Sequence, residues 1–201
     1  MTPHIVKTII EESKQAVRQI VETSQTDSKT IIQRYTAAVA INFTDWIGKT
    51  LPWARHEYAR YALTDNLRCE AVQDHVGMLM NFAKLSNALP DGVHYREVGE
   101  VISVIRQLFA DPNTAGLAGI ALCGILENTS EIFIPDLERR ASELGCTDLT
   151  YTKVHGVADV EHSDAFGKAT IAEFEMGYNC GDEFIQKAAN LAVHLIRVVY
   201  S

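Results

Sequence analysis

Paired cysteines are missing from this chain. Cys69, Cys123, Cys146 and Cys180 are scattered and form no CxxC pair, which points to reduced thiols. Basic excess is missing too. Lys and Arg number 18 against 26 Asp and Glu, a net charge of −8, so nucleic-acid wrapping is not expected, because neutralising phosphates needs clustered cations. No uninterrupted apolar run approaches the ~20 residues that span a bilayer; the longest, around Ala115–Leu126 and Leu191–Val199, are short. The start, MTPHIVKTIIEESKQ, lacks the charged-then-apolar layout of a signal peptide. These absences predict a cytoplasmic protein with no membrane and no nucleic-acid partner. Proline is scarce as well, with five in 201 residues, and most Pro and Gly fall where helices could end.

What is present reads as helix. Apolar residues make up 47% and charged residues 22%, ordinary for a globular chain. Ile5, Ile9, Ile10, Val17, Ile20 and Val21 recur at near-helical spacing. Asp27 or Ser28 can cap a second helix running to about Trp46. Pro52 opens a third, and a fourth covers about Leu67–Leu89, with room for a break near Cys69–Val76. Pro90-Asp91-Gly92 is a turn. Helices over Tyr95–Ala110 and Thr114–Leu144 follow, the second with Pro135 inside it and Gly145 as its C-terminal cap. Thr147 or Asp148 caps the next, and Asp182–Tyr200 closes the chain. No segment shows sustained strand alternation. The expected fold is all-α: a single domain over residues 1–201, a bundle of seven to eight helices.

Candidate chemistry concentrates on LTYTKVHGVADVEHSDAF. His155, Asp159 and His162 stand at i, i+4 and i+7, within ~60° of one another on one helical face. Two imidazoles and a carboxylate on one stripe can grip a metal without a loop folding round it, and they suit Fe(II) or Mn(II). The bland alternative is a polar surface helix. Glu127 ends the strongly apolar run in GIALCGILENTSEIF, so its carboxylate is expected in the core, where it needs a partner. Glu131, one turn later, competes with it. A third element, LTDNLRCEAVQDHVGML, offers Glu70 and His75. Positions five apart diverge by ~140° in an ideal helix, so these two share a metal only if the helix breaks between them; otherwise each faces a different ion.

The order Glu, His, Glu, then His-x-x-x-Asp-x-x-His resembles the haem-oxygenase-like diiron oxidases and oxygenases, over about Thr64 to Phe166. Asn66-Leu67-Arg68-Cys69-Glu70 is similar to the family's Asn-Leu-x-x-Glu, and Glu127-Asn128-Thr129 to its Glu-x-Thr. The resemblance implies a haem-oxygenase-like bundle with Glu70, His75, Glu127, His155, Asp159 and His162 as metal ligands. It implies two iron ions, with Fe/Mn as the variant, and O2 as co-substrate. The substrate would be a small amino-acid-like, amine or carboxylate molecule, undergoing desaturation, C–C cleavage or N-oxygenation. The Glu70–His75 gap is shorter than the family's usual one, so Glu57 or Asp74 stands as a substitute ligand. A homodimer is compatible with this reading.

Other residues are read as structural. Cys123 and Trp46 are expected in the core, as is a hydrogen-bonded His194. His4 precedes the first helix, which argues against an axial haem ligand. Tyr35, Tyr151 and Lys153 are available as reactive groups, but their spacing gives them no role. Arg55, Arg60, Arg68 and Lys153 are candidate anchors for a substrate carboxylate. Two rival functions remain: a metal-independent TenA-like hydrolase or cofactor-ring oxidase on the same fold, and a non-catalytic helical metal-binding or interaction protein.

Overall fold

The computed structural model describes residues 2–201, apart from the side chains of Thr2, Pro3, Val157, Asp159 and Val160. Among the described residues it is all-α, with no strand. The helices are α1 (Thr2–Thr23), α2 (Ser28–Val39), α3 (Asn42–Thr50), α4 (Glu57–Val72), α5 (His75–Leu85), α6 (Gly92–Gln107), α7 (Ala115–Glu143), α8 (Thr150–Phe174) and α9 (Gly181–Tyr200). A 3-10 turn at Leu51–Trp53 precedes α4. Among the described residues, nine helices replace the expected seven or eight for two local reasons. The chain interrupts itself at Ala40–Ile41, and it breaks again at Gln73–Asp74.

The helix ends follow side-chain chemistry. Asp27 caps α2 by accepting from Thr30 N at 3.0 Å. Asp91 and His94 form a reciprocal capping box at the start of α6. Gly145 adopts φ +81°, and Cys146 N reaches back to Ala141 O at 2.9 Å, which closes α7. The expected cap of α8 sits slightly off: Leu149 holds the cap position, while Asp148 accepts from Thr150 N at 3.0 Å. Pro52 lies in the 3-10 turn instead of opening α4, whose N-cap is His56.

Helix α7 is the centre of the bundle, packed against α1, α3, α8 and α9. Every residue from Ala115 to Ser130 is buried. Two glycines set the closest approaches. A Cβ at Gly119 would lie 2.0 Å from Thr50 Oγ1, and one at Gly116 would lie 2.3 Å from Trp53 O. By length and composition α7 could cross a membrane, although no single run reaches that length. Its most apolar window is 89% buried in the fold, which is the behaviour of a core helix. Pro135 lies within α7 without ending it.

Glu173, in the last turn of α8, is fully buried. Its carboxylate accepts from Arg55 N and His56 N, both at 2.8 Å, and from the Tyr178 hydroxyl. A negative charge thus sits against the N-terminus of α4, where the helix leaves backbone N–H groups unsatisfied. Glu173 therefore fixes where α4 starts, and α4 carries Glu70 at its other end.

Candidate metal centre

Glu70 and His75 meet because the helix breaks between them. Gln73 ends α4, and Asp74 turns left-handed at φ 50°, a conformation Asp tolerates better than most residues. The Asp74 carboxylate then accepts from Gly77 N at 3.1 Å, capping α5. The turn brings His75 back over the last turn of α4, where its Nδ1 lies 2.8 Å from Glu70 Oε1. Both side chains are buried, at 8% exposure for Glu70 and 2% for His75.

Helix α8 delivers His155 to the same spot. Its Nδ1 lies 2.9 Å from Tyr151 O, and a carbonyl only accepts, so Nδ1 carries the proton and Nε2 is left as the donor to a metal. The His155 ring centroid is 4.5 Å from that of His75 and 4.2 Å from that of Tyr151. Ligand atoms of Glu70, His75 and His155 all lie within 4.8 Å of one another. Burial pushes His155 down to about 4 from its ordinary 6.5, against the opposing hydrogen bond to Tyr151. It is therefore a neutral imidazole at ordinary pH, the form that binds metal.

A second group lies alongside. Glu127, on α7, is 5% exposed and accepts from Asn66 Nδ2 at 2.7 Å. His162 Nδ1 lies 3.7 Å from Glu127 Oε1, and burial pushes His162 below its usual value. Glu127, Glu70, His75 and His155 all line one chamber of about 50 Å³. Its other walls are largely apolar, including Phe43, Leu79, Leu126 and Phe133, and no Lys or Arg lines it. On the outer side, an open groove between α4 and α8 is bordered by Gln73 and His162.

The donor set passes a chemical test for iron. Two buried carboxylates and three imidazoles are hard-to-borderline ligands, and no thiolate is among them. Asn66 supplies a further sign. Its Oδ1 is buried and has no hydrogen-bond partner, so the surroundings of Glu127 hold polar capacity that the protein chain leaves unfilled.

The profile of a haem-oxygenase-like family described as iron-containing redox enzymes matches residues 31–195. The chain belongs to this family. No curated protein matches the chain significantly. Membership makes it an oxidoreductase-type protein associated with iron, and all six expected ligands fall inside the matched region.

The structure brings Glu70, His75 and His155 into one cluster and places Glu127 and His162 beside each other. The side chain of Asp159 lies outside the described residues. Neither substitute joins the Glu70–His75–His155 cluster. Asp74 is engaged in capping α5, and Glu57 is exposed in the first turn of α4, thirteen residues from Glu70 and so about 20 Å along the helix. Glu131 is exposed and pairs with Lys14 at 3.1 Å.

None of the suggested anchors lines the chamber. Arg55 stacks over Tyr178, Arg60 donates to Ala54 O, Arg68 pairs with Asp65, and Lys153 borders the outer groove. His194 is exposed, contrary to its expected core position, and His4 lies exposed inside α1, not before it. Cys123 and Trp46 are core residues as expected; burial, with the charge of Glu127, pushes the Cys123 thiol up.

Sequence reasoning gave no role to two neighbours of the ligands. Tyr35 and Tyr151 are buried, share a hydroxyl–hydroxyl hydrogen bond of 2.8 Å and line the chamber. A usable signal existed for Tyr151: it stands four residues before His155, on the same helical face. Gln73 gave no such signal, yet its Oε1 lies 3.1 Å from His75 Nε2.

Proposed function

We propose that this protein is a non-haem oxidase or oxygenase that holds two irons and uses O2 to oxidise a small amino-acid-like, amine or carboxylate substrate. What supports the proposal is two donor groups side by side: Glu70, His75 and His155 line the chamber together, and Glu127, on the same chamber, has His162 beside it at the edge of the outer groove. Reduced iron, when bound, supplies the electrons that O2 accepts and the oxidising power that acts on the substrate.

The rest is the work of the chain. His155 is held neutral by burial and aimed by its hydrogen bond to Tyr151. Asn66 orients Glu127. The apolar walls exclude water from the reacting centre, which suppresses side reactions of an oxidised site. The chamber volume of about 50 Å³ suits a small substrate, or one small end of a larger one, since a water needs roughly 10–15 Å³ by this kind of measure. With no Lys or Arg on its walls, the chamber offers an anionic headgroup only the metal that those donors would hold and hydroxyls such as Tyr35 and Ser130. A metal-independent cysteine hydrolase fits less well, because no cysteine lines this chamber.

The test is anaerobic Fe(II) loading followed by elemental analysis and O2 uptake with panels of amino acids, amines and carboxylates. Between one and two irons per chain, with uptake that depends on both iron and one substrate class, is the expected result. Less than one iron per chain sinks the reading.

A further inference from the structure

His75 is flanked by acceptors on both sides. Its Nδ1 faces Glu70 Oε1 at 2.8 Å and its Nε2 faces Gln73 Oε1 at 3.1 Å. The orientation of the Gln73 amide is set independently, because its Nε2 donates to Cys69 Sγ at 3.3 Å, leaving the oxygen turned towards the imidazole. A ring with one N–H satisfies only one of two acceptors, and on its other side a lone pair faces a lone pair; either a second ring proton or a cation resolves this.

A cation between Nδ1 and Oε1 removes that conflict. Two donors that share one six-coordinate ion at ~2.1 Å each, at its right angle, lie ~3 Å apart, close to the separation seen between His75 and Glu70. The Nδ1 lone pair then meets the ion, and the single proton sits on Nε2, where Gln73 Oε1 accepts it. This is the arrangement in which the second nitrogen of a metal-bound imidazole is held by an outer acceptor that fixes tautomer and ring orientation.

We propose that Gln73 is a positioning residue for His75: it accepts the Nε2 proton and so commits Nδ1, not Nε2, to the metal shared with Glu70. The inference rests on the metal-binding part of the reading above, but not on redox activity. Gln73 is exposed, borders the outer groove and is absent from the chamber lining, so it acts through His75 and not on substrate. Its place depends on the local break. As the C-cap of α4, with its N–H bonded to Cys69 O at 3.1 Å, Gln73 is the residue from which the chain turns left-handed into His75.

The experiment uses the full chain loaded with Zn(II), a diamagnetic probe that reads coordination without any reaction with O2. Nitrogen-15 NMR of the histidine rings identifies which His75 nitrogen binds. A chelator competition gives the affinity for wild type, Gln73→Leu and Gln73→Glu. The expected result is coordination through Nδ1 with a protonated Nε2 in wild type and Gln73→Glu. Gln73→Leu should lose that signature and bind Zn(II) on the order of 10–100-fold more weakly, with its circular dichroism unchanged. Rescue by Glu separates acceptance of a proton from mere filling of space. Coordination through Nε2 in wild type, no Zn(II)-dependent change at His75, or equal affinity of Gln73→Leu and wild type would each overturn the proposal. Because Zn(II) supports no O2 chemistry, a failure of the oxidase reading leaves this test standing, and the reverse also holds.

Discussion

Asn66 reaches across from α4 to α7 and donates its Nδ2 proton to Glu127 Oε1 at 2.7 Å. Asn66 stands one turn before Glu70 on the same face of α4. One helix thus presents a ligand candidate to one donor group and a hydrogen bond to the other. Replacing Asn66 with Ala removes a charge-assisted bond to a buried carboxylate. The expected cost is about 1–3 kcal/mol in urea denaturation, together with weaker iron binding at the Glu127 position. Wild-type stability and iron content in Asn66→Ala would show that this bond does not support the site.

The break between α4 and α5 depends on a missing side chain. A Cβ at Gly77 would lie 2.1 Å from Asp74 Oδ2, inside the space of the capping carboxylate. Gly77→Ala should push Asp74 off its cap and move His75 away from Glu70, lowering the iron bound per chain. Asp74→Gly keeps the left-handed turn accessible and loses only the cap, at a cost of about 1 kcal/mol or less. Iron titration of both variants checks the order; a stronger loss in Asp74→Gly would contradict it.

His162 and Glu161 are neighbours in sequence with different surroundings. Glu161 is exposed, whereas His162 lies near Glu127 and is turned ~100° away from Glu161 around the helix. His162→Ala should lower iron content and iron-dependent O2 uptake, and Glu161→Ala should leave both near wild type. Equal losses in the two variants would mean that helix damage, not a ligand, is being measured.

The metal-free protein should be acid-sensitive in a defined window. Burial lowers both His155, to about 4 from 6.5, and His162. Between those pH values the unfolded chain binds protons that the fold resists, so stability is full above about 6.5 and falls as pH drops towards 4. Chemical denaturation at pH 7.5, 5.5 and 4.5 measures it as the difference between wild type and His155→Gln. The stability advantage of wild type should shrink across that range; a constant difference would show that His155 does not titrate as described.

Much of this was legible in the sequence because helical periodicity is local. The stripe of His155 and His162, the core position of Glu127 and the need for a break between Glu70 and His75 all follow from ~100° per residue. The left-handed Asp74 was not legible, since Asp is a common cap and only the three-dimensional join shows which cap it is. Tyr35 and Gln73 were hidden for a different reason. Tyr35 reaches the chamber only through the packing of α2 beside the other walls, and Gln73 looks like any polar residue at a helix end. The exposed His194 shows the converse error: an apolar setting in LAVHLIRVV says nothing about which side of the helix one residue occupies.

Helix α4 meets α8 at both ends, at Glu173 under its first turn and at the Glu70–His155 cluster near its last. Once an ion ties that cluster together, α4 would be fixed at two points and could not swing aside to let it go. Release would then be expected to run through the α4–α5 joint, where the Asp74 carboxylate caps the turn. Iron exchange should accordingly be slow and keep time with the opening of that joint, so Asp74→Gly would shorten the residence of the ion far more than it lowers the melting temperature. Stopped-flow transfer of the metal to a chelator would read that clock directly.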